Sequence, residues 1–296
     1  SDNMWAKHFF STSGELGGGA DPVKYINDIN SRYGKATSLE DFCKKAQLFN
    51  LETMKAMFEA WNDHMWQDAS GMLIWMSQSA YPSMIWQTYD YYYDLTGAYF
   101  GARLACEPVH IQWNPATCQV KVINNTIHPL TGISAEATVY NSDGKNVAAY
   151  TKKIKLNAAA TATTTAFTML TDSTAAQDLS PVHFLRLKLY AENGQLLSEN
   201  TYMTGKKYLD YTSLAQLPAV KKNIIISKLK TSGNNNITCT ISNTSKTTAA
   251  VGVRVQLVDK AGKQILPAII SHSYFTLMQG EQLKNGYRVV AEAFNN

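Results

Sequence analysis

The sequence predicts a multidomain chain: a partial α/β region patterned like the end of a TIM barrel, then two all-β immunoglobulin-like sandwiches. Three observations carry that reading. All six tryptophans (Trp5, Trp61, Trp66, Trp75, Trp86, Trp113) lie in the first 113 residues, and Thr, Val, Ala and Asn dominate afterwards. A short apolar run, Gly71-Met72-Leu73-Ile74-Trp75-Met76, sits among helical patterns and lacks alternation. Beyond it, turn signals such as Ser142-Asp143-Gly144, Glu192-Asn193-Gly194 and Lys260-Ala261-Gly262 punctuate a series of short strands. The domains expected are residues 1–107 for the barrel end, 108–205 for the first sandwich and 206–296 for the second.

Each element has a local reason. Asp21-Pro22 reads as an N-cap and first helical position, and Val23, Ile26, Ile29 and Tyr33 follow at helical spacing until Gly34 stops the helix. Ser38 with Asp41 resembles a capping box. The helix behind it carries Leu39, Phe42, Cys43, Ala46, Phe49, Met54, Met57, Phe58 and Trp61, a stripe expected to pack in a core. The unalternated run at 71–76 is what a strand buried on both faces shows. Helix, buried strand and helix make one unit of an α/β barrel, and one unit cannot close a barrel. The region is therefore a remnant of a larger domain or part of a smaller, different one.

Seven strands are expected near 109–113, 119–124, 134–140, 146–154, 163–168, 183–190 and 195–202. A polar connection at 205–217 leads to five more, near 223–230, 237–243, 249–258, 274–278 and 287–294. Val251, Val253, Val255 and Leu257 alternate as a half-buried strand does.

Composition excludes several functions. A hydrophobic share of 45% with 17% charged residues is a globular balance, and no stretch approaches the roughly 18 apolar residues that span a bilayer. The lack of such a stretch is why no membrane partner is expected. The net charge is only +4, and its paired lysines (Lys44-Lys45, Lys152-Lys153, Lys206-Lys207, Lys221-Lys222) are scattered, so nucleic acid is not expected either. Ser1 to Phe10 lack the pattern of a secretory signal. Cys43, Cys106, Cys118 and Cys239 form no CxxC pair and stand beside no histidine cluster, so no metal is expected. Buried free thiols are the default, with a Cys106–Cys118 disulfide as the alternative. Asn124-Asn125-Thr126, Asn236-Ile237-Thr238 and Asn243-Thr244-Ser245 match glycosylation sequons.

Few residues read as chemistry. Glu52 and Glu59 are seven apart on one helix face, most simply a solvated face. Asp63 and His64 suggest a base with its orienter, yet neighbours in sequence point apart.

The most informative segment runs Trp75-Met76-Ser77-Gln78-Ser79-Ala80-Tyr81-Pro82-Ser83-Met84-Ile85-Trp86-Gln87, continues through Tyr89-Asp90-Tyr91-Tyr92 and Gly97-Ala98-Tyr99-Phe100-Gly101-Ala102, and closes on Cys106-Glu107-Pro108-Val109-His110-Ile111-Gln112. It resembles glycoside hydrolase family 2, in its β-mannosidase and exo-β-D-glucosaminidase branch. Met57-Phe58-Glu59-Ala60 upstream and Ser273-Tyr274-Phe275-Thr276-Leu277-Met278-Gln279-Gly280-Glu281 downstream resemble the same branch, so the likeness covers nearly the whole chain.

The resemblance implies retaining hydrolysis of β-linked mannosides or glucosaminides by two glutamates, with no cofactor. No position here matches either glutamate motif, so no catalytic residue is assigned. Both would precede Ser1 in such a protein, and the chain alone is expected to be inactive. The resemblance also implies that the end of the last barrel strand meets substrate. Trp75 would stack on a sugar ring, and Ser77, Gln78 and Tyr81 would hydrogen-bond its hydroxyls. Here Ser77-Gln78-Ser79 replaces a more usual apolar-Asn-Asn, and Tyr81 stands where Trp is common, which bears on sugar identity. An extracytoplasmic location is expected by analogy. The alternatives are a carbohydrate-binding module, for which Tyr208, Tyr211, Tyr274 and Phe275 are the candidates, or a purely structural sandwich. An exposed barrel face would also promote self-association.

Overall fold

A computed structural model of the chain describes residues 22–82, 87–171, 176–233 and 236–289. Two compact units emerge. One comprises the described parts of Ser1–Glu52, Ile74–Phe100 and Pro218–Asn296, and the other Thr53–Leu73 and Gly101–Leu217. Three helices are present: α1 (Pro22–Tyr33), α2 (Leu39–His64) and α3 (Gly97–Ala105). Asp21, expected to cap α1, lies outside the described residues, as do Ser83 to Trp86 of the aromatic segment and residues 290–294 of the last expected strand. Gly34 ends α1 at φ +79°, the left-handed conformation that glycine adopts without Cβ strain. The Ser38 hydroxyl accepts the Asp41 amide at 3.1 Å, so α2 is capped as its sequence indicates.

The unit containing residues 101–217 holds a seven-stranded sandwich. Its strands are β1 (Val109–Asn114), β2 (Gln119–Asn124), β3 (Leu130–Asn141), β4 (Asn146–Ala158), β5 (Ala162–Thr168), β6 (Val182–Tyr190) and β7 (Leu196–Gly205). They form antiparallel sheets in the orders β1-β2-β5 and β4-β3-β6-β7. On β3, Ile133, Ala135, Ala137 and Val139 alternate inward to meet Leu185, Leu187 and Leu189 of β6. Each of those leucines is fully buried and contributes about 1.5–3 kcal/mol.

The other unit carries β8 (Ile224–Ser232), β9 (Asn236–Asn243), β10 (Ala250–Val253), β11 (Ala268–Ile270), β12 (Phe275–Leu277) and β13 (Gln282–Val289). Their order is β11-β13-β9-β8 in one sheet and β10-β12 in the other. Cys239, Ile241, Ala250, Ile270 and Leu277 fill the space between, together with Leu95 and Phe100 from the approach to α3 and its first turn. Gly97 docks α3 on α2. Its amide donates to the Gln47 side chain at 2.7 Å, and a Cβ there would lie 2.1 Å from the Gln47 carbonyl oxygen. Because the clash is with backbone, Gly97→Ala should lower stability by about 2 kcal/mol, read as a drop in the thermal midpoint of the chain.

The two sandwiches share a device that the sequence pattern disguised. Asn124 and Asn243 both end the second strand of their sandwich and both are fully buried. Asn124 Nδ2 donates to the carbonyls of His128 and Ala159, each at 2.9 Å. Asn243 Nδ2 donates to those of Thr248, Leu277 and Met278 at 3.0–3.2 Å. Both side-chain oxygens accept an amide two residues on, from Thr126 and Ser245. Two of the three sequons are thus occupied in folding, and Asn236 alone keeps a partly exposed position.

Three other expectations give way. Residues 71–76 form no strand, and Leu73 and Trp75 are 98% and 77% exposed. A parallel strand needs a ladder partner on each side, and no described strand pairs with this run. The apolar stripe of α2 is only partly packed: Met54 is buried and Phe42, Ala46, Phe49 and Phe58 are half-buried, but Leu39, Met57 and Trp61 are exposed, while Lys55, Glu59, Asn62 and Asp63 are buried. The four cysteines stand outside any disulfide, the Cys106–Cys118 pair included, and of the thiols expected to be buried only Cys239 is.

Candidate functional site

The strip around Trp75 is held from behind by backbone. The Ser77 carbonyl accepts from the Tyr89 amide and the Thr88 hydroxyl, each at 3.0 Å, and Gln78 bridges Tyr89 as an isolated parallel pair. Thr96 then ties the return of the chain. Its amide reaches the Thr88 carbonyl at 3.1 Å, and its hydroxyl the carbonyls of Gln87 and Thr88 at 3.0 Å. The Trp75–Met76 peptide is cis. Trp75, Ser77 and Tyr81 face solvent, Gln78 is half-buried, and Ser79 turns inward. A short segment thereby offers one large aromatic face and several hydroxyl or amide groups, the equipment for contacting a sugar.

A neighbouring group escaped the sequence reading. Tyr91, Tyr92 and Tyr93 project at 41%, 60% and 56% exposure. Asp90 holds the loop that carries them, its carboxylate accepting the amides of Tyr92 and Asp94 at 2.8 and 2.9 Å. Asp94 in turn pairs with Arg254 at 2.5 Å. The three consecutive aromatics bracketed by aspartates were the available signal.

The second arrangement is buried and charged. Glu59, from α2, accepts hydrogen bonds from Asn200 Nδ2 at 2.7 Å, Tyr202 OH at 2.8 Å and His110 Nε2 at 3.1 Å. The other ring nitrogen of His110 lies 3.2 Å from Glu107 Oε2, which also accepts the Ser198 hydroxyl at 2.6 Å. Lys55 Nζ donates to Asn200 Oδ1 at 3.0 Å and to the Thr201 carbonyl at 2.9 Å. A neutral imidazole donates from one nitrogen only, so two flanking carboxylates select the imidazolium. Burial alone would push His110 down, but its hydrogen bonds to Glu107 and Glu59 and their charges hold it above its ordinary value. Burial likewise pushes Glu59 up, and the Lys55 ammonium with the His110 and Tyr202 hydrogen bonds outweighs it, leaving the carboxyl below its usual range.

This cluster corrects the reading of Glu59 as a solvated residue, and it is a joint and not a reaction centre. Every polar atom named is paired within the protein, and no face is left for a substrate. Glu52, seven residues earlier, goes elsewhere, to the Tyr33 hydroxyl at 2.6 Å and Arg32 at 3.5 Å. Asp63 and His64 do part company: Asp63 binds Lys121 at 2.6 Å, and His64 meets Asp68 at 3.0 Å. Among the described residues, no group of three or more His, Cys, Asp or Glu is placed to hold a metal.

Comparison with known proteins gives these residues a context. Residues 200–295 match the exo-β-D-glucosaminidase Ig-fold domain. The exo-β-D-glucosaminidase of Hypocrea jecorina is 29% identical over 311 aligned residues, which cover 96% of this chain and 34% of that protein. The crystal structure of Amycolatopsis orientalis exo-chitosanase CsxA superposes with a TM-score of 0.76 at 28% identity, over 88% of this chain and 33% of that one. These likenesses support a protein of the exo-β-D-glucosaminidase and β-mannosidase type of glycoside hydrolase family 2. A mannosylglycoprotein endo-β-mannosidase of Lilium longiflorum adds the mannosidase side, 34% identical over 66% of this chain and 20% of that protein. The chain spans about a third of the length of the first relatives it matches. The matched domain takes in most of β7 and the whole second sandwich.

Proposed function

We propose that this chain is the C-terminal portion of a retaining family 2 glycoside hydrolase acting on β-linked glucosaminides or mannosides, and that it supplies one wall of the active site without the catalytic pair. The observation that carries this reading is the exposed apolar run at 71–76 with Trp75 at its end. An unalternated apolar segment left in solvent is what a barrel strand without its neighbours would be. On this reading residues 1–107 are the barrel end, Trp75 stacks on the sugar, and Ser77, Gln78 and Tyr81 bind its hydroxyls. The uncovered barrel face would favour self-association, and the site of action would be extracytoplasmic. The absence of a long apolar helix among the described residues does not bear on that location.

From β1 onward the sandwiches brace the site and do not hold substrate. Of the aromatics that might have bound carbohydrate, Tyr211 and Tyr274 are buried and Phe275 packs on the core, leaving Tyr208 exposed. The test is to incubate the chain with aryl β-D-glucosaminide and β-D-mannoside, and to run it through gels containing chitosan or mannan. No turnover is expected, with weak retention that Trp75→Ala abolishes. Robust turnover would require a catalytic pair within these 296 residues and would overturn the reading.

A further inference from the structure

The second sandwich carries a charge that the small net value of the chain conceals. Residues 218–296 hold ten of the 27 basic residues and three of the 23 acidic ones, a net +7, which leaves −3 on residues 1–217. Four of those lysines gather at one edge, Lys221 and Lys222 in the turn before β8 and Lys228 and Lys230 on it, all exposed. β8 is the outer strand of its sheet. It also presents Ile225, Ile226 and Leu229, at 44%, 63% and 67% exposure. Lys228 takes φ +52°, and the ladder with β9 slips between Ser227 and Lys230.

We propose that this edge is a peripheral docking surface for an anionic lipid bilayer. Lysines with interspersed aliphatic tips fit such a surface: the ammonium groups meet anionic headgroups while the isoleucines and leucine enter the acyl boundary. Other occupants fit less well. The bulge interrupts the edge as a template for an added peptide strand. β8 has no aromatic side chain to stack on bases or sugar rings and no arginine to fork onto phosphates. Protection against edge aggregation explains lysines but leaves three exposed aliphatic side chains unexplained. Glu40 is near enough to Lys221 to feel its charge, but its own partner is Lys44 at 2.6 Å. The lack of a spanning segment, from which no membrane partner is expected, does not reach peripheral contact.

The test is flotation of the 296-residue chain with vesicles of phosphatidylcholine, with or without phosphatidylglycerol, at low and high salt. Binding is expected to the anionic vesicles alone, lost at high salt and weakened about fivefold for each lysine replaced in Lys222→Gln, Lys228→Gln and Lys230→Gln. Leu229→Ser should weaken it at constant charge. Equal binding to both vesicle types, binding to neither, or glutamine variants that stay folded by circular dichroism and still bind would overturn the proposal. Tighter binding to heparin or duplex DNA, or a dimer in light scattering that the glutamine variants dissociate, would overturn it as well.

Discussion

Glu59→Ala is expected to destabilise the unit built on the first sandwich by about 3–5 kcal/mol, the cost of removing one partner from a buried charged pair. The carboxylate is the common acceptor of Asn200, Tyr202 and His110, and its loss takes that acceptor from the Tyr202 hydroxyl and His110 Nε2 while Asn200 keeps the Ile111 carbonyl. Lys55, above the Tyr202 ring at 3.9 Å, would lose the attraction of the Glu59 charge. Glu59→Gln preserves the shape and one acceptor, so it should cost less than alanine. Glu52→Ala serves as the control on the same helix. Glu52 is partly solvated and its Arg32 contact is long, but it accepts the Tyr33 hydroxyl at 2.6 Å, so its loss should cost about 1–2 kcal/mol, still less than that of Glu59. Urea denaturation of the three variants checks the ranking, and equal midpoints for Glu59→Ala and Glu52→Ala would remove the joint from the account.

The same joint gives stability two pH limits of opposite sign. His110 is held above its ordinary value of 6.5 when folded, so its contribution is complete below that value and is lost as pH rises through the raised folded one. Glu59 is held below its ordinary value of 4.5, so its contribution is complete above 4.5 and is lost as pH falls through the folded value. The urea midpoint should therefore be highest between 4.5 and 6.5 and fall on either side. His110→Gln should flatten the alkaline limb and shrink the acid one, because His110 is among the groups that hold Glu59 low while Lys55 and Tyr202 remain.

How much of this was legible follows from what is local. The seven strands of the first sandwich are bounded by turns that announce themselves, such as Asp143-Gly144 before β4 and Asn193-Gly194 before β7, and all seven lie where expected. The second sandwich was harder. The alternation at 249–258 extends beyond the ladder: β10 stops at Val253, yet Val255 and Leu257 still pack inward from irregular backbone. β11, three residues behind Pro267, is too short to leave a periodic trace. Glu59 was illegible for another reason. Helical spacing places the apolar residues of α2 inward by default, and only Asn200 and Tyr202, more than a hundred positions later, show that polar residues of its last turns are packed as well. The Trp75 strip was found through resemblance and not through pattern, because its run lacks the strand neighbours that the pattern presupposes.

Asn243→Ala should cost about 3 kcal/mol, an unusual loss for removing one neutral amide. The side chain spends its two donors on three carbonyls and its oxygen on the Ser245 amide. With the residue fully buried, water cannot replace them, and each stranded group costs about 1–3 kcal/mol less whatever local relaxation recovers. Asn124→Ala removes the same device from the other sandwich, where two carbonyls and the Thr126 amide and hydroxyl depend on it, and should cost somewhat less. Asn→Asp separates hydrogen bonding from size. It keeps the acceptor and loses the amide donors, so at neutral pH it should be as damaging as alanine, with an unpaired charge set against the carbonyls. An Asp variant as stable as the parent would mean that the corner is held by packing alone. The order expected in thermal midpoints is parent, then Asn124→Ala, then Asn243→Ala. Because the two sites lie in separate sandwiches, the double variant should lose the sum of the two single losses.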